Sequence, residues 1–176
     1  YPSAYVTKAA SWSEDGTLTE EASHRLGESW GTGSVVLSWN ASEGGAASPN
    51  DGNNVVFHEF AHQLDQEDGQ ADGAPILGKR LTRNERRSMY ASWARIMQSE
   101  FDQLQDLVEK GKNSLIDDYG ATNPAEFFAV ATETFFEKPR LLRKRHAEVY
   151  QQLQEYYCQD PASWQRAPQD EEDEED

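Results

Sequence analysis

His58 and His62 lie four positions apart in the run His58-Glu59-Phe60-Ala61-His62, within an apolar stretch from Val55 to Asp65 that reads as helix. On a helix of 3.6 residues per turn, positions four apart differ by about 40°, so both imidazoles can address one metal ion from successive turns. Histidines at this spacing are a zinc-binding pair. Glu59, one step beyond His58, points elsewhere around the axis and stays out of the coordination sphere. It can take a proton from a metal-polarised water, which is the task of a general base. The chemistry this pattern describes is metal-assisted hydrolysis, as in a zinc-dependent peptidase.

A catalytic zinc takes three protein ligands and keeps its fourth position for water, so a third donor must come from elsewhere in the chain. His24 and His146 are the remaining histidines. His146 falls on an apolar helical stripe, the usual setting of a packed histidine, and His24 has no chelating context. Glu126, Glu133 and Glu137 are spaced by seven and four on a predicted helix and share one of its faces. Glu126 has a second explanation: with Asn123 as N-cap it is the third helical residue, where a glutamate closes a capping box. Spacing alone does not choose among the three.

The elements that must position these groups are legible to different degrees. Ser34–Trp39, rich in large apolar residues and bounded by Gly31, Gly33 and Asn40, predicts a strand, with Val35, Leu37 and Trp39 on one face. Tyr5–Thr7 and Thr17–Thr19 are weaker strand candidates. Residues 40–52 (with Gly44-Gly45 and Pro49) and 69–78 read as loops. Thr82 and Glu85 form a capping box that opens a long helix. Its core stripe runs Met89, Trp93, Ile96, Met97, Phe101, Leu104 and Val108 until Gly111 stops it. Asn123-Pro124 starts a third helix that ends near Glu137, and a fourth carries Leu142, His146, Val149, Tyr150, Leu153 and Tyr157 on one side. The expected fold class is α+β, mostly helical, with a small sheet ahead of the metal-site helix.

A chain of 176 residues has the size of one domain, and 27% charged with 11% aromatic residues suits a folded one. Residues 1–168 are expected to form a single catalytic domain. The net charge is −16, of which Asp170–Asp176 carries seven, so residues 169–176 read as a disordered acidic tail. Such a balance argues against nucleic acid as a partner. No apolar run approaches the ~18 residues of a membrane span. A lone cysteine, Cys158, excludes an internal disulfide, so a reducing, cytoplasmic compartment is expected. The chain opens at Tyr1 without a signal-peptide pattern and reads as a piece of a longer protein.

Several separate motifs, in order, carry a family resemblance. They are His58-Glu59-Phe60-Ala61-His62-Gln63-Leu64-Asp65, then Asp118-Tyr119 followed by Asn123-Pro124-Ala125-Glu126-Phe127-Phe128-Ala129, then Phe135-Phe136 with Pro139. Gly27–Trp39, Asp51-Gly52 and Tyr157–Pro161 extend it, so that it runs from about Glu28 to Trp164. The sequence resembles the Mlc titration factor A family of zinc-dependent peptidases, whose metal core is similar to that of anthrax lethal factor. The resemblance implies a zincin-like domain, lacking part of the family's amino-terminal helical portion, with one zinc ion. It implies Glu126 as the third zinc ligand and Tyr119 as the tyrosine that stabilises the oxyanion. It also implies an aminopeptidase-like activity on peptides, or, as the family name suggests, a regulatory protein that sequesters a transcription repressor.

Around that core further roles are expected. Asp65, seven residues after His58 and three after His62, can bind the far nitrogen of one of them and fix its tautomer. Glu133 can support the ligands in the same way or receive a substrate amino group. The strand Ser34–Trp39 is the candidate edge along which an extended peptide would lie.

Overall fold

The computed structural model describes residues 1–12, 18–25, 27–29, 33–78 and 80–164. β1 (Tyr5–Trp12) and β2 (Leu18–Arg25) form an antiparallel hairpin in register from Tyr5 with Arg25 to Trp12 with Leu18. Both strands are longer than the threonine-bearing triplets that predicted them; Thr17 and the acidic tail of residues 169–176 lie outside the described residues. A second hairpin pairs β3 (Gly27–Ser29) with β4 (Val35–Leu37), Glu28 opposite Val36. The α+β expectation holds in this form, as a mostly helical chain with small antiparallel sheets ahead of the metal-site helix.

Two predicted boundaries shift at once after β4. Ser38 leaves the strand to become an N-cap, its Oγ accepting the N–H of Ala41, and α1 (Trp39–Ala47) occupies what reads as a loop. Trp39, expected on one face of a strand with Val35 and Leu37, is instead the first residue of that helix and is 67% exposed. The glycine pair that signalled a loop serves packing. A Cβ on Gly45 would come within 3.3 Å of the Asn54 side chain, so glycine lets α1 approach the start of the next helix closely.

α2 (Val55–Asp65) carries the two histidines and ends in a 3₁₀ turn, Gln66–Asp68. α3 (Arg83–Glu109) begins with the expected capping box and turns Trp93, Ile96, Met97, Phe101 and Leu104 inward. Val108, counted on that stripe, is exposed, since the helix outruns the core by a turn. A 3₁₀ turn at Asp118–Ala121 leads into α4 (Pro124–Glu137).

α4 is the centre of the molecule: residues 127–135 are all buried, the mark of a helix with neighbours on every side. Phe127 meets Phe101 of α3 edge to face at 5.9 Å, and Phe128 meets Trp93 at 5.7 Å. On a third side Phe136 stacks on Phe57 of α2 at 4.8 Å. Aromatic pairs of this kind contribute about 0.5–1.5 kcal/mol each beyond their buried area.

The predicted fourth helix is two. α5 (Pro139–Arg145) and α6 (Ala147–Tyr157) break at His146, whose backbone leaves the helical region and whose Nδ1 bonds Glu100 of α3 at 2.7 Å. Arg143, Lys144 and Arg145 gather in the last turn of α5, where positive charge favours a helix C-terminus. Tyr150 and Tyr157 of α6 pack on Phe135, and α7 (Pro161–Trp164) closes the described chain. No described helix is long and apolar enough to cross a membrane.

Candidate metal centre

Asn54 starts α2 by accepting the N–H groups of Val56 (3.1 Å) and Phe57 (3.4 Å) on its Oδ1. One turn on, His58 and His62 face the same side, and their Nε2 atoms are 3.1 Å apart. α4 starts in a similar way, Asn123 Oδ1 accepting the N–H of Glu126 at 3.0 Å. The Glu126 side chain does not fold back to close a capping box. Its Oε2 lies 3.0 Å from His58 Nε2 and 3.2 Å from His62 Nε2.

Among the described residues, His58, His62 and Glu126 are the group of three whose donor atoms could hold a metal ion. Ligand atoms at ~2.1 Å from a tetrahedral zinc are about 3.4 Å from one another. Edges of 3.0, 3.1 and 3.2 Å therefore approximate one face of such a tetrahedron, and the donor set of two imidazoles and a carboxylate is one zinc accepts. The residues present fit a divalent cation.

Electrostatics point the same way. Burial pulls the His58 imidazole down, but the hydrogen bonds and charges of Glu126 and Glu133 outweigh it and hold the ring at about 10. Burial pushes Glu126 up, yet its bonds to His58 and His62 hold it down at about 2. Without a metal, this corner of the molecule recruits a proton in its place.

The other two glutamates of α4 divide the remaining work. Glu133 Oε1 bonds His58 Nδ1 at 2.8 Å, which fixes the tautomer with Nε2 free for a cation, and its Oε2 accepts the backbone N–H of Asn54. Glu137 touches neither histidine. It accepts from Gly52 N–H and Asn54 Nδ2, each at 2.9 Å.

Asp65 does not take the role expected of it. Its Oδ2 accepts the N–H of Gly73 at 3.0 Å, its Oδ1 is buried without a partner, and neither described histidine of α2 bonds it. It sits on the side of α2 that packs against the 69–78 loop, where burial raises its pKa. His146 pairs with Glu100 away from the group, and His24 falls on β2.

Glu59 is buried beside these ligands, and burial, followed by the charges of Glu126 and Glu28, raises its pKa against the pull of His58 and His62. Its carboxylate packs against Gly27 of β3. Tyr119, on the 3₁₀ turn, has its N–H held by Asp117 Oδ1 while its ring, 54% exposed, lies 5.9 Å from the His58 ring. A cleft of about 1010 Å³ opens over the group, walled by β3, α1, the starts of α2 and α4, and Tyr119. The strand along it is β3, not β4, so the predicted edge Ser34–Trp39 gives way to Gly27–Ser29. Asn54 and Gly27, which lie against His58 and Glu59, went unassigned, although an asparagine just before an apolar helical run is an N-cap signal and Gly27 falls in a stretch that carries the resemblance.

Residues 1–158 match the family model described as glucose-regulated metallo-peptidase M90. The chain is 44% identical over 162 residues to an uncharacterized protein of Synechocystis sp., a match covering 92% of this chain and 56% of that protein. It is 34% identical over 165 residues to the Mlc titration factor A proteins of Yersinia pestis and Yersinia pseudotuberculosis, covering 92% of this chain and 57% of each of them. The chain thus spans somewhat more than half the length of these relatives. With the family model matched over most of its residues and the metal-binding group assembled within that match, the chain belongs to the glucose-regulated metallo-peptidase M90 family.

Proposed function

We propose that residues 1–168 form a zincin-like, zinc-dependent peptidase domain that trims peptides from the amino end. His58, His62 and Glu126 hold the metal, Glu59 is the general base and Tyr119 the oxyanion donor. The observation that carries this reading is the convergence of three donor atoms within 3.2 Å of one another beside a buried glutamate, at the floor of a cleft.

When bound, zinc supplies a water whose pKa falls from about 15.7 toward about 7 and a Lewis acid for the peptide carbonyl. Glu59 takes the proton of the attacking water and returns it to the leaving amine. Its raised pKa suits that exchange, because the carboxylate is a stronger base than an exposed glutamate. The Tyr119 hydroxyl donates to the developing oxyanion. Glu133 keeps His58 in the tautomer that offers Nε2.

An extended peptide would lie along β3, with main-chain hydrogen bonds to residues 27–29. Among the described residues that line the cleft, Glu28, Glu59, Glu126 and Glu133 are acidic, and none is lysine or arginine. An acidic lining favours a peptide's free α-amine over its terminal carboxylate, which supports amino-end trimming over the carboxy end. The exposed thiol of Cys158 accords with a reducing compartment such as the cytoplasm.

The name of the Yersinia relatives favours a second reading, in which the chain binds a transcription repressor such as Mlc. Hydrolysis of amino-acid anilides by the zinc-loaded chain, compared with Glu59→Gln, separates the two. The peptidase reading expects Glu59→Gln to keep its metal and lose turnover; turnover at the parent level in that variant overturns it, and a parent that binds zinc without hydrolysis favours the binding role.

A further inference from the structure

Asn54 is the residue at which α2, α4 and the loop before α2 meet, and it uses every polar atom it has. Oδ1 caps α2. The backbone carbonyl accepts the N–H of His58 at 3.0 Å. The backbone N–H donates to Glu133 Oε2, and Nδ2 donates to Glu137 Oε1. A helix cap needs only the first two of these bonds. The surplus donor goes to a carboxylate that is 3% exposed and contacts no histidine.

We infer that Asn54 and Glu137 are positioning residues for the metal centre, setting how Glu133 meets His58 and hence where His58 Nε2 points. The inference rests on reading His58, His62 and Glu126 as the metal site. Glu133 divides its two oxygens between His58 Nδ1 and the Asn54 N–H, so any movement of Asn54 is passed to the imidazole. Asn54 in turn is held by Glu137, one turn beyond Glu133 on the same face of α4, which also grips the chain two residues earlier at Gly52. Gly45 of α1 closes the remaining side of the asparagine. The result is a frame that ties the histidine helix to the helix that supplies Glu126. Partners one layer beyond the ligands commonly tune metal affinity by about 10–100-fold.

The test exploits the polarity of the Asn54–Glu137 bond. Asn54→Asp keeps an acceptor for the α2 cap but sets two carboxylates against each other. Glu137→Gln keeps the shape but loses one acceptor. The double variant Asn54→Asp/Glu137→Gln restores both bonds with donor and acceptor exchanged, the amide at position 137 donating to the carboxylate at position 54 and its oxygen still accepting from Gly52. Zinc affinity is read by competition with a chelating dye, the ligand geometry by the visible spectrum of the cobalt(II)-loaded chain, and the fold by circular dichroism. Each single variant is expected to lose about tenfold or more in zinc affinity with an altered cobalt spectrum, and the double variant to regain most of both.

Folded single variants with the parent's zinc affinity and cobalt spectrum overturn the inference, leaving Asn54 a cap and Glu137 a staple. Should the single variants not fold, the double variant decides: parent-like zinc binding supports the frame, and weak binding or failure to fold overturns it. The metal reading is checked separately by zinc binding in the parent and its loss in His62→Ala. A parent that binds no zinc sinks that reading, whereas unaffected single variants sink only the frame.

Discussion

A Cβ on Gly27 would lie 2.5 Å from Cγ of Glu59 and 2.6 Å from its Oε1, closer than such atoms ever pack. The glutamate cannot retreat freely, because it is buried on α2 between β3 and the ligands. Gly27→Ala therefore displaces the Glu59 carboxylate while leaving His58, His62 and Glu126 in place. A shift of about 1 Å in a reacting group can cost ~100-fold in rate. We expect kcat for an amino-acid anilide to fall by about that factor with zinc content unchanged. A Gly27→Ala variant with parental kcat would remove Glu59 from the reaction.

Proton release on metal binding follows from the shifts of His58 and Glu126. In the metal-free chain His58 titrates at about 10 instead of its ordinary 6.5, so at pH 7–8 it carries a proton that zinc must displace. Glu126, held at about 2, has none to give. Zinc uptake should release close to one proton, and apparent affinity should rise by about tenfold per pH unit toward pH 10. The same shifts set the stability of the metal-free chain. The raised His58 value stabilises fully below pH 6.5 and is lost as pH rises through about 10; the lowered Glu126 value stabilises above pH 4.5 and is lost as pH falls through about 2. Titration calorimetry in buffers of different ionisation enthalpy counts the protons, and a count of zero refutes the coupling.

Local signals made helices legible where the chain announces their ends. Asn123-Pro124 and the Thr82–Glu85 box act within three residues, and the histidine pair within four. Periodicity also placed Glu126, Glu133 and Glu137 on one face, yet dividing them into ligand, histidine anchor and loop staple depends on how α4 crosses α2, a tertiary fact that spacing does not contain. α1 was illegible because Gly44-Gly45 lowers helix propensity, and what offsets the loss is the packing of Gly45 on Asn54, at the start of another helix. The break at His146 hid for the opposite reason. Its apolar stripe continues unbroken from α5 to α6, while the bond to Glu100 that turns the chain comes from another helix.

Tyr119→Phe isolates a single hydroxyl. The ring is half exposed and its turn is held through the backbone by Asp117 and Thr122, so stability should change by no more than about 0.5 kcal/mol. Loss of one oxyanion donor typically costs about 10²–10³ in kcat. We expect a fall of that size with KM and zinc affinity close to the parent's. Unchanged kcat would return Tyr119 to the status of an aromatic packed near His58.

Zinc should also stabilise the fold, because the donors proposed for it belong to two helices with no covalent link near the site. α2 supplies His58 and His62, and α4, the buried centre of the core, supplies Glu126. A ligand that binds only the folded chain adds about 2.7 kcal/mol at a hundredfold excess over its Kd. For a chain of this length, each kcal/mol moves Tm by about 2–4 °C. Zinc added to the metal-free chain should thus raise Tm by roughly 5–10 °C, and a chelator should reverse the rise. His62→Ala, which removes one donor and leaves the core packing of α4 intact, should melt at nearly the same temperature with and without zinc. An equal zinc-induced rise in His62→Ala would mean that the cation stabilises the chain from some place other than these three side chains.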